Sequence, residues 1–423
     1  MKKLLFLLAP CIIFAQSFII SNIPIPKIYI QDLDPYTCND KCMKELLQNG
    51  QIFSFLSHAN KKLTDKELDE ARIINIAVLN LGASNAGMKL KIALLLPYKK
   101  IGKYASTTTN AAFAYLMTKS NSFMLKSYKI PTENRSDLQE ALTQIESDGF
   151  EYVIAPLTAQ GVNNIIEIDP NINIYFPTMN KKDVHTVSSS LVFGGIDYKQ
   201  QSKMLLHEAV SPLVIFSDKS QTGRKLAFYQ EDEFLHPCAD INDTMYYNDE
   251  ISVYNEDVNL SEEKKIFTYF ISRRTTNLER YLKENKDIVN ASFFVNTPII
   301  KTGMILSQLT LYDVNATNIL STQINYDPLL LSMTQYNDRK NMIVANSITK
   351  DNNILIETNS LLGNDIVYDW INYTTTVGID YFYAQITGEE REYNINLLDN
   401  QMMYDIELLR PGISRFFKYI PDE

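Results

Sequence analysis

Few side chains in this 423-residue sequence stand at spacings that do chemistry. His207-Glu208 opens like H-E-x-x-H, the helical pattern that sets two imidazoles on one face around zinc, but Ser211 stands where the second ligand belongs. Gly102-Lys103 has the Gly-Lys of a phosphate loop, yet Pro97 replaces its first glycine and Tyr104 the Ser/Thr that would hold magnesium. There is no G-x-G-x-x-G, no G-x-S-x-G and no C-x-x-C. His58, His185, His207 and His236 fall in separate segments, and a surface or capping role is the ordinary one for each. The run Glu231-Asp232-Glu233 reads as a solvated loop face before it reads as a cation site. No catalytic residue, metal or cofactor is assigned, and the chain is not read as an enzyme.

Two covalent chemistries stay open. In an oxidising compartment the close pair Cys38 and Cys42 is a disulfide candidate. On a regular helix that spacing puts the Cα atoms roughly 6 Å apart, near the upper end of disulfide geometry. A metal set would have to recruit Cys238 and His236 from far along the chain, and free thiols are the third reading. The other chemistry is glycan attachment. Asp240-Ile241-Asn242-Asp243-Thr244, Asp257-Val258-Asn259-Leu260-Ser261 and Asp313-Val314-Asn315-Ala316-Thr317 place an acid two before an N-x-S/T sequon. That form resembles the acceptor used by some bacterial oligosaccharyltransferases and makes Asn242, Asn259 and Asn315 candidates; Asn-rich loops are the plain alternative.

Composition narrows the partners. Apolar residues make up 45% and charged ones 21%, ordinary for a globular protein. Forty basic residues against fifty acidic ones leave −10, which argues against nucleic acid because phosphate contacts need a cationic surface. Lys2 and Lys3 precede the apolar run Leu4 to Phe14, then Ala15 and polar Gln16-Ser17, the order of a secretory signal spanning residues 1–15. Its loss would take the charge to −12 and remove Cys11. The run is too short to span a bilayer, so the expectation is a periplasmic bacterial protein without stable membrane insertion.

The elements that must position these residues follow from periodicity. Residues 16–88 read as an N-terminal extension and linker, with helices over 40–58 and 65–79, the second capped by Thr64 with Glu67 three residues on. From Ile92-Ala93-Leu94-Leu95-Leu96 onward, apolar runs alternate with helical spacing. Leu138, Ala141, Leu142 and Ile145 fall at i, i+3, i+4 and i+7, Gly149 stops that helix, and Tyr152-Val153-Ile154 follows as a strand. Asn173–Phe176, Leu213–Phe216, Ser292–Val295 and Ile343-Val344 continue the series. Strand–helix alternation means parallel sheets covered on both faces, the α/β class. An acidic, Tyr-rich stretch over about 231–259 reads as an insertion.

In that order the pieces resemble type I periplasmic-binding-protein-like domains, nearest the C-terminal domain of the penicillin-binding-protein activators and beside the branched-chain amino-acid receptors. Lys91–Pro97 with its helix, Leu138–Pro156, Val192-Phe193-Gly194-Gly195, Ile319–Gln323 and Val367-Tyr368-Asp369 carry the resemblance over about 89–420. It implies two α/β lobes joined by three crossovers, lobe one from 89–194 plus 321–385 and lobe two from 195–320 plus 386–420. The cleft between them is the implied binding site. Receptors of this type favour a small Ser-Gly pair after the first strand's proline, where this chain has Tyr98-Lys99-Lys100. That departure shifts the reading from an amino-acid pocket towards a non-catalytic adaptor or regulator of another envelope protein. The alternative is a receptor feeding an importer with a small polar or anionic ligand.

Open α/β sheets bind ligands at the carboxyl ends of their strands. The candidates there are Tyr98, Lys99, Lys100, Thr158, Thr178 and Asn180 from lobe one, Asn296 and Thr297 from lobe two, Ser321 and Gln323 at a crossover, and Tyr368 and Asp369 opening a helix. Each also has a plain role as a turn, cap or hinge residue.

Overall fold

Continuous apolar runs become strands buried on both faces, and their alternation decides what covers each face. The computed structural model describes residues 30, 33–34, 36–78, 90–119, 121–184, 188–237, 264–349 and 353–421. The signal-like start, the 82–87 linker, His185, Cys238, Asn242 and Asn259 lie outside the described residues. Contacts divide the chain into two units, Met1–Asp32 with Thr37–Ala86, and Leu33–Tyr36 with Gly87–Glu423.

The first unit is helical. α1 (Asp40–Gln48), α2 (Ile52–His58) and α3 (Lys66–Val78) bury Met43, Phe55, Leu56, Ala59 and Leu68. The single helix expected over 40–58 is broken at Asn49-Gly50, because Gly50 takes a φ of +70°. Cys38 and Cys42 are disulfide-bonded with Cα atoms 5.3 Å apart. Cys38 precedes the cap residue Asn39, so the pair straddles a turn rather than spanning a full helical repeat. α3 is capped by Asp65, not Thr64: its carboxylate accepts from the amides of Glu67 and Leu68 at 3.0 and 3.2 Å, satisfying two orphan donors.

In the second unit β1 (Leu90–Leu96), β2 (Phe123–Lys129), β3 (Tyr152–Ile154), β4 (Asn173–Phe176) and β5 (Leu191–Phe193) run parallel in the order β2-β1-β3-β4-β5. β6 (Leu213–Asp218), β7 (Ile266–Ile271), β8 (Ser292–Asn296), β9 (Asn318–Ser321) and β10 (Met342–Asn346) repeat the plan as β7-β6-β8-β9-β10. β11 (Asn396–Leu398) and β12 (Gln401–Met403) extend the first sheet, while β13 (Glu407–Pro411) and β14 (Phe416–Lys418) extend the second. Among the described residues each sheet thus has seven strands, and the molecule is an α/β protein of two lobes.

Helices cover both faces. In lobe one α4 (Tyr98–Ile101) and α5 (Tyr104–Met117) follow β1, α6 (Arg135–Ser147) follows β2 and α7 (Ala159–Ile168) follows β3. Leu90, Ile92, Leu94 and Leu96 of β1 face one cluster with Tyr115 of α5, and Ala93 and Leu95 face another with Leu138 and Leu142 of α6. Lobe two carries α8 (Tyr198–Leu206), α9 (Gln221–Leu235), α10 (Glu279–Leu282), α11 (Ile299–Leu311), α12 (Pro328–Met333) and α13 (Tyr336–Arg339). α14 (Asn353–Leu361) and α15 (Trp370–Thr387) return to lobe one, where Leu355, Tyr373, Val377 and Phe382 join the cluster around β1.

The crossovers correct the expected boundaries. The chain first changes lobe between β5 and α8. It stays in lobe two through β9 and β10, because the parallel ladder from Ser292↔Asn318 to Ile319↔Met342 is continuous; a return at 321 would cut it. The second crossover follows Asn346. The third follows Met403, since β12 pairs with β5 through Gln401↔Phe193, rather than falling at 386. The expected insertion at 231–259 also starts later. Glu231, Asp232 and Glu233 are helical within α9, held by a face that buries Leu226, Ala227, Gln230 and Phe234.

Candidate functional site

Strand ends from both lobes meet at a cavity of about 420 Å³, reached by the turns after β1, β3, β4 and β9 and by the start of α15. Larger cavities of about 590 and 620 Å³ lie elsewhere, but this one occupies the crevice beyond the carboxyl ends of the strands.

Four of the twelve expected residues line it: Thr178, Gln323, Tyr368 and Asp369. Three of these are already committed within the protein. The Thr178 hydroxyl donates to the Leu157 carbonyl at 2.5 Å. Gln323 donates to Asn346 Oδ1 at 3.0 Å, while its own carbonyl accepts the Ser347 amide at 2.6 Å and its amide reaches Gln201 at 2.9 Å. Gln323 therefore ties the second crossover to α8. Asp369 caps α15, with Oδ1 accepting from the Asn372 amide at 3.1 Å. Burial pushes its carboxyl above the usual value; the capping amides and Lys103 oppose that shift without cancelling it.

The other eight sit outside the cavity lining. Tyr98 is half-buried, meets the edge of Tyr36 at 6.1 Å between ring centroids, and has its phenol pushed up by burial. Lys99 and Lys100 are exposed on α4. Thr158 gives its hydroxyl to buried Glu133 and its amide to the same carboxylate at 2.9 Å. Buried Asn180 caps the turn at Lys181–Asp183 and donates to Gly195 O at 3.1 Å. Asn296 and Gln230 exchange amide hydrogen bonds at 2.6 and 3.2 Å. Thr297 pairs with Thr302 at 2.9 Å, and Ser321 donates to Val295 O at 2.8 Å.

Sequence reasoning missed what dominates the lining, namely the rings of Tyr104, Tyr198, Tyr326 and Trp370 and the carboxylate of Asp327. Tyr326 packs on Tyr368 at 5.0 Å and on Phe416 of β14 at 4.9 Å, so an aromatic clasp joins the lobes beside the cavity. Burial pushes the Tyr198 phenol up to about 12. Asp327 caps α12 through the Leu329 amide at 2.7 Å. Among the described residues no lysine, arginine or histidine lines the cavity; Lys103 lies outside it, 5.4 Å from the Tyr104 ring centre. A chain with 25 tyrosines offers no local pattern marking these ones, because they converge from turns and helix ends distant in sequence.

Elsewhere, Asn315 is exposed, with its side-chain amide donating to Asn290 Oδ1 at 2.7 Å. Among the described residues no cluster of three His, Cys, Asp or Glu could hold a metal, and no helix is long and apolar enough to cross a membrane.

Comparison with known proteins places this geometry. No protein-family model matches the chain, and no curated protein matches it in sequence. Solved structures do match. A branched-chain amino acid ABC transporter periplasmic ligand-binding protein of Burkholderia xenovorans superposes with a TM-score of 0.54 at 8% identity, over 78% of this chain and 94% of that one. Full-length LpoA of Haemophilus influenzae gives 0.51 at 10% identity, over 90% of this chain and 74% of its own. The LpoA C-domain from the same organism, described as a regulator of PBP1A, gives 0.50 at 9% identity, over 78% and 100%. These likenesses establish the fold as the two-lobed type I periplasmic-binding-protein fold.

Proposed function

We propose that this chain, with its type I periplasmic-binding-protein fold, is a non-catalytic periplasmic protein that acts as an adaptor or regulator of another envelope protein. The cleft lining carries the reading. It presents Asp327 and Asp369 among aromatic rings and, among the described residues, contains no cationic side chain. The carboxylate of an α-amino acid would meet like charge there, and Thr178 and Gln323 already donate within the protein. The same fold serves regulation of a partner protein in LpoA. The signal-like start supports export, and the exposed Asn315 side chain is compatible with a glycan at that sequon.

The second reading is a receptor that feeds an importer, favoured by the 420 Å³ cavity at the strand ends. Its lining suits a cationic or neutral polar ligand better than an anionic one. Cross-linking in intact envelopes followed by pull-down tests the adaptor role, and the expected result is one specific envelope protein. A thermal-shift panel of amino acids is expected to leave the melting temperature unchanged. A ligand at 100 times its Kd adds ~2.7 kcal/mol, so a clear upward shift with an amino acid would replace the adaptor reading by the receptor reading.

A further inference from the structure

We propose that lobe two carries a docking groove for an extended acidic segment of a partner protein, along the outer edge of β14. Strands β13 and β14 form the antiparallel hairpin that ends the second sheet, and β14 is its terminal strand. Among the described residues its outer edge has no strand partner, and such an edge is a template for an added strand. Beside it lies a cavity of about 620 Å³ whose lining includes Tyr336, Lys340, Arg410, Ile413, Phe417 and Lys418. Among the described residues no carboxylate lines it, although the whole chain carries −10.

The apolar content separates docking from edge protection. Short strands with lysine are how proteins blunt an open edge. Blunting gives no reason to leave Ile413 75% exposed, Phe417 46% and Tyr336 48% around one cavity. The cations lie against the rings: Arg410 is 4.8 Å from the centre of Tyr419, and Arg415 is 4.7 Å from that of Phe417. Lys418 meets one carboxylate, Glu407, at 3.9 Å.

The hairpin tip is also fixed in advance. Arg339, only 2% exposed, donates Nη2 to the Gly412 and Ile413 carbonyls at 2.8 and 3.1 Å, and the Gly412 amide reaches Arg415 O at 2.9 Å. A surface already ordered loses little conformational entropy on binding. The occupant follows from these features. A strand added to β14 gains main-chain hydrogen bonds and turns alternate side chains to opposite faces, apolar ones towards Phe417 and acidic ones towards Lys418, because these neighbours on β14 point opposite ways. A concave groove beside an open edge suits a chain segment better than the flat surface of a bilayer.

The biological part rests on the adaptor reading; the groove's chemistry does not. Fluorescence anisotropy of the full chain with a labelled alternating glutamate-valine peptide tests it, with a lysine-valine peptide and phosphatidylglycerol vesicles as controls. The acidic peptide is expected to bind, to weaken as salt rises, and to lose about tenfold or more in affinity in Lys340→Glu/Lys418→Glu. Ile413→Asp, at an exposed position, is expected to weaken binding while leaving the circular dichroism unchanged. No binding of the acidic peptide, equal binding by these variants, or binding to vesicles alone overturns the groove. A cross-linked partner retained by the double variant overturns it while leaving the adaptor reading standing. Peptide binding without any cross-linked partner supports the groove and removes the adaptor reading.

Discussion

Two carboxylates on one helix are partnered very differently. Asp380 is fully buried in α15 and accepts the Tyr115 hydroxyl at 2.8 Å, Arg391 Nε at 3.1 Å and the Glu392 amide at 2.8 Å. Asp369, the cap of the same helix, has capping amides and Lys103 set against burial and the like charge of Asp365, and burial raises its pKa above the ordinary 3.8. An acid whose folded pKa is raised holds its proton more readily when folded, so its ionised form weakens the fold at neutral pH. That penalty is relieved as pH falls through the raised folded value towards 3.8. Asp369→Asn keeps a capping residue and removes the charge. It is expected to raise the melting temperature at neutral pH, with the gain shrinking as pH drops through that window. Melts across the acid range check this; a gain independent of pH would mean that burial of the charge is not its cause.

At the scale of elements, period and turn chemistry located most of the chain. β3 and β4 coincide with their expected ranges, and β1 begins at Leu90 with its apolar run intact. Departures have local causes: Gly50 at positive φ splits α1 from α2, and the buried face of α9 carries it through an acidic run. Strands β11 and β13 lack the continuous burial that marks the central strands: β11 is exposed throughout, and β13 sets exposed Glu407 and Arg410 around Leu408 and Leu409. β3 gives the sharpest test of an element. Val153 is fully buried, with β1 on one side and β4 on the other. Val153→Asp places a lone carboxylate between helix and sheet at a cost of several kcal/mol, and is expected to abolish cooperative unfolding in a denaturant titration.

Across the whole molecule, α15 holds the three crossovers. Thr374 donates to Gly194 O at 2.8 Å in the first. The Tyr373 hydroxyl meets Thr349 Oγ1 at 2.7 Å in the second, and Thr374 meets the Tyr404 hydroxyl at 2.9 Å in the third. Gly194 leaves no room for a side chain, since a Cβ there would stand 1.8 Å from Tyr175 Oη and 2.6 Å from Thr374 Oγ1. Gly194→Val is therefore expected to cost ~1–3 kcal/mol as the crossover is pushed off α15. Small-angle scattering should report a larger radius of gyration as the lobes lose that anchor; an unchanged radius with unchanged stability would show that the contact holds nothing.

The α/β class, the ordered strand series and the Cys38–Cys42 pairing were legible in the residues, because burial on two faces, helical period and short cysteine spacing are local signals. The two-lobed plan was legible through the resemblance that this order carries. The lobe in which β9 and β10 pair was settled only by long-range ladders, which no run of neighbours encodes. Side-chain direction was equally out of reach. Asn296, Ser321 and Asn180 stand at or beside strand ends as expected, but their hydrogen bonds turn inward. The cleft's character came from Tyr104, Tyr198, Tyr326, Asp327 and Trp370, which converge from separate turns and helix ends. Their convergence is a product of packing two lobes around three crossovers, so only the tertiary structure could make the crevice aromatic and acidic.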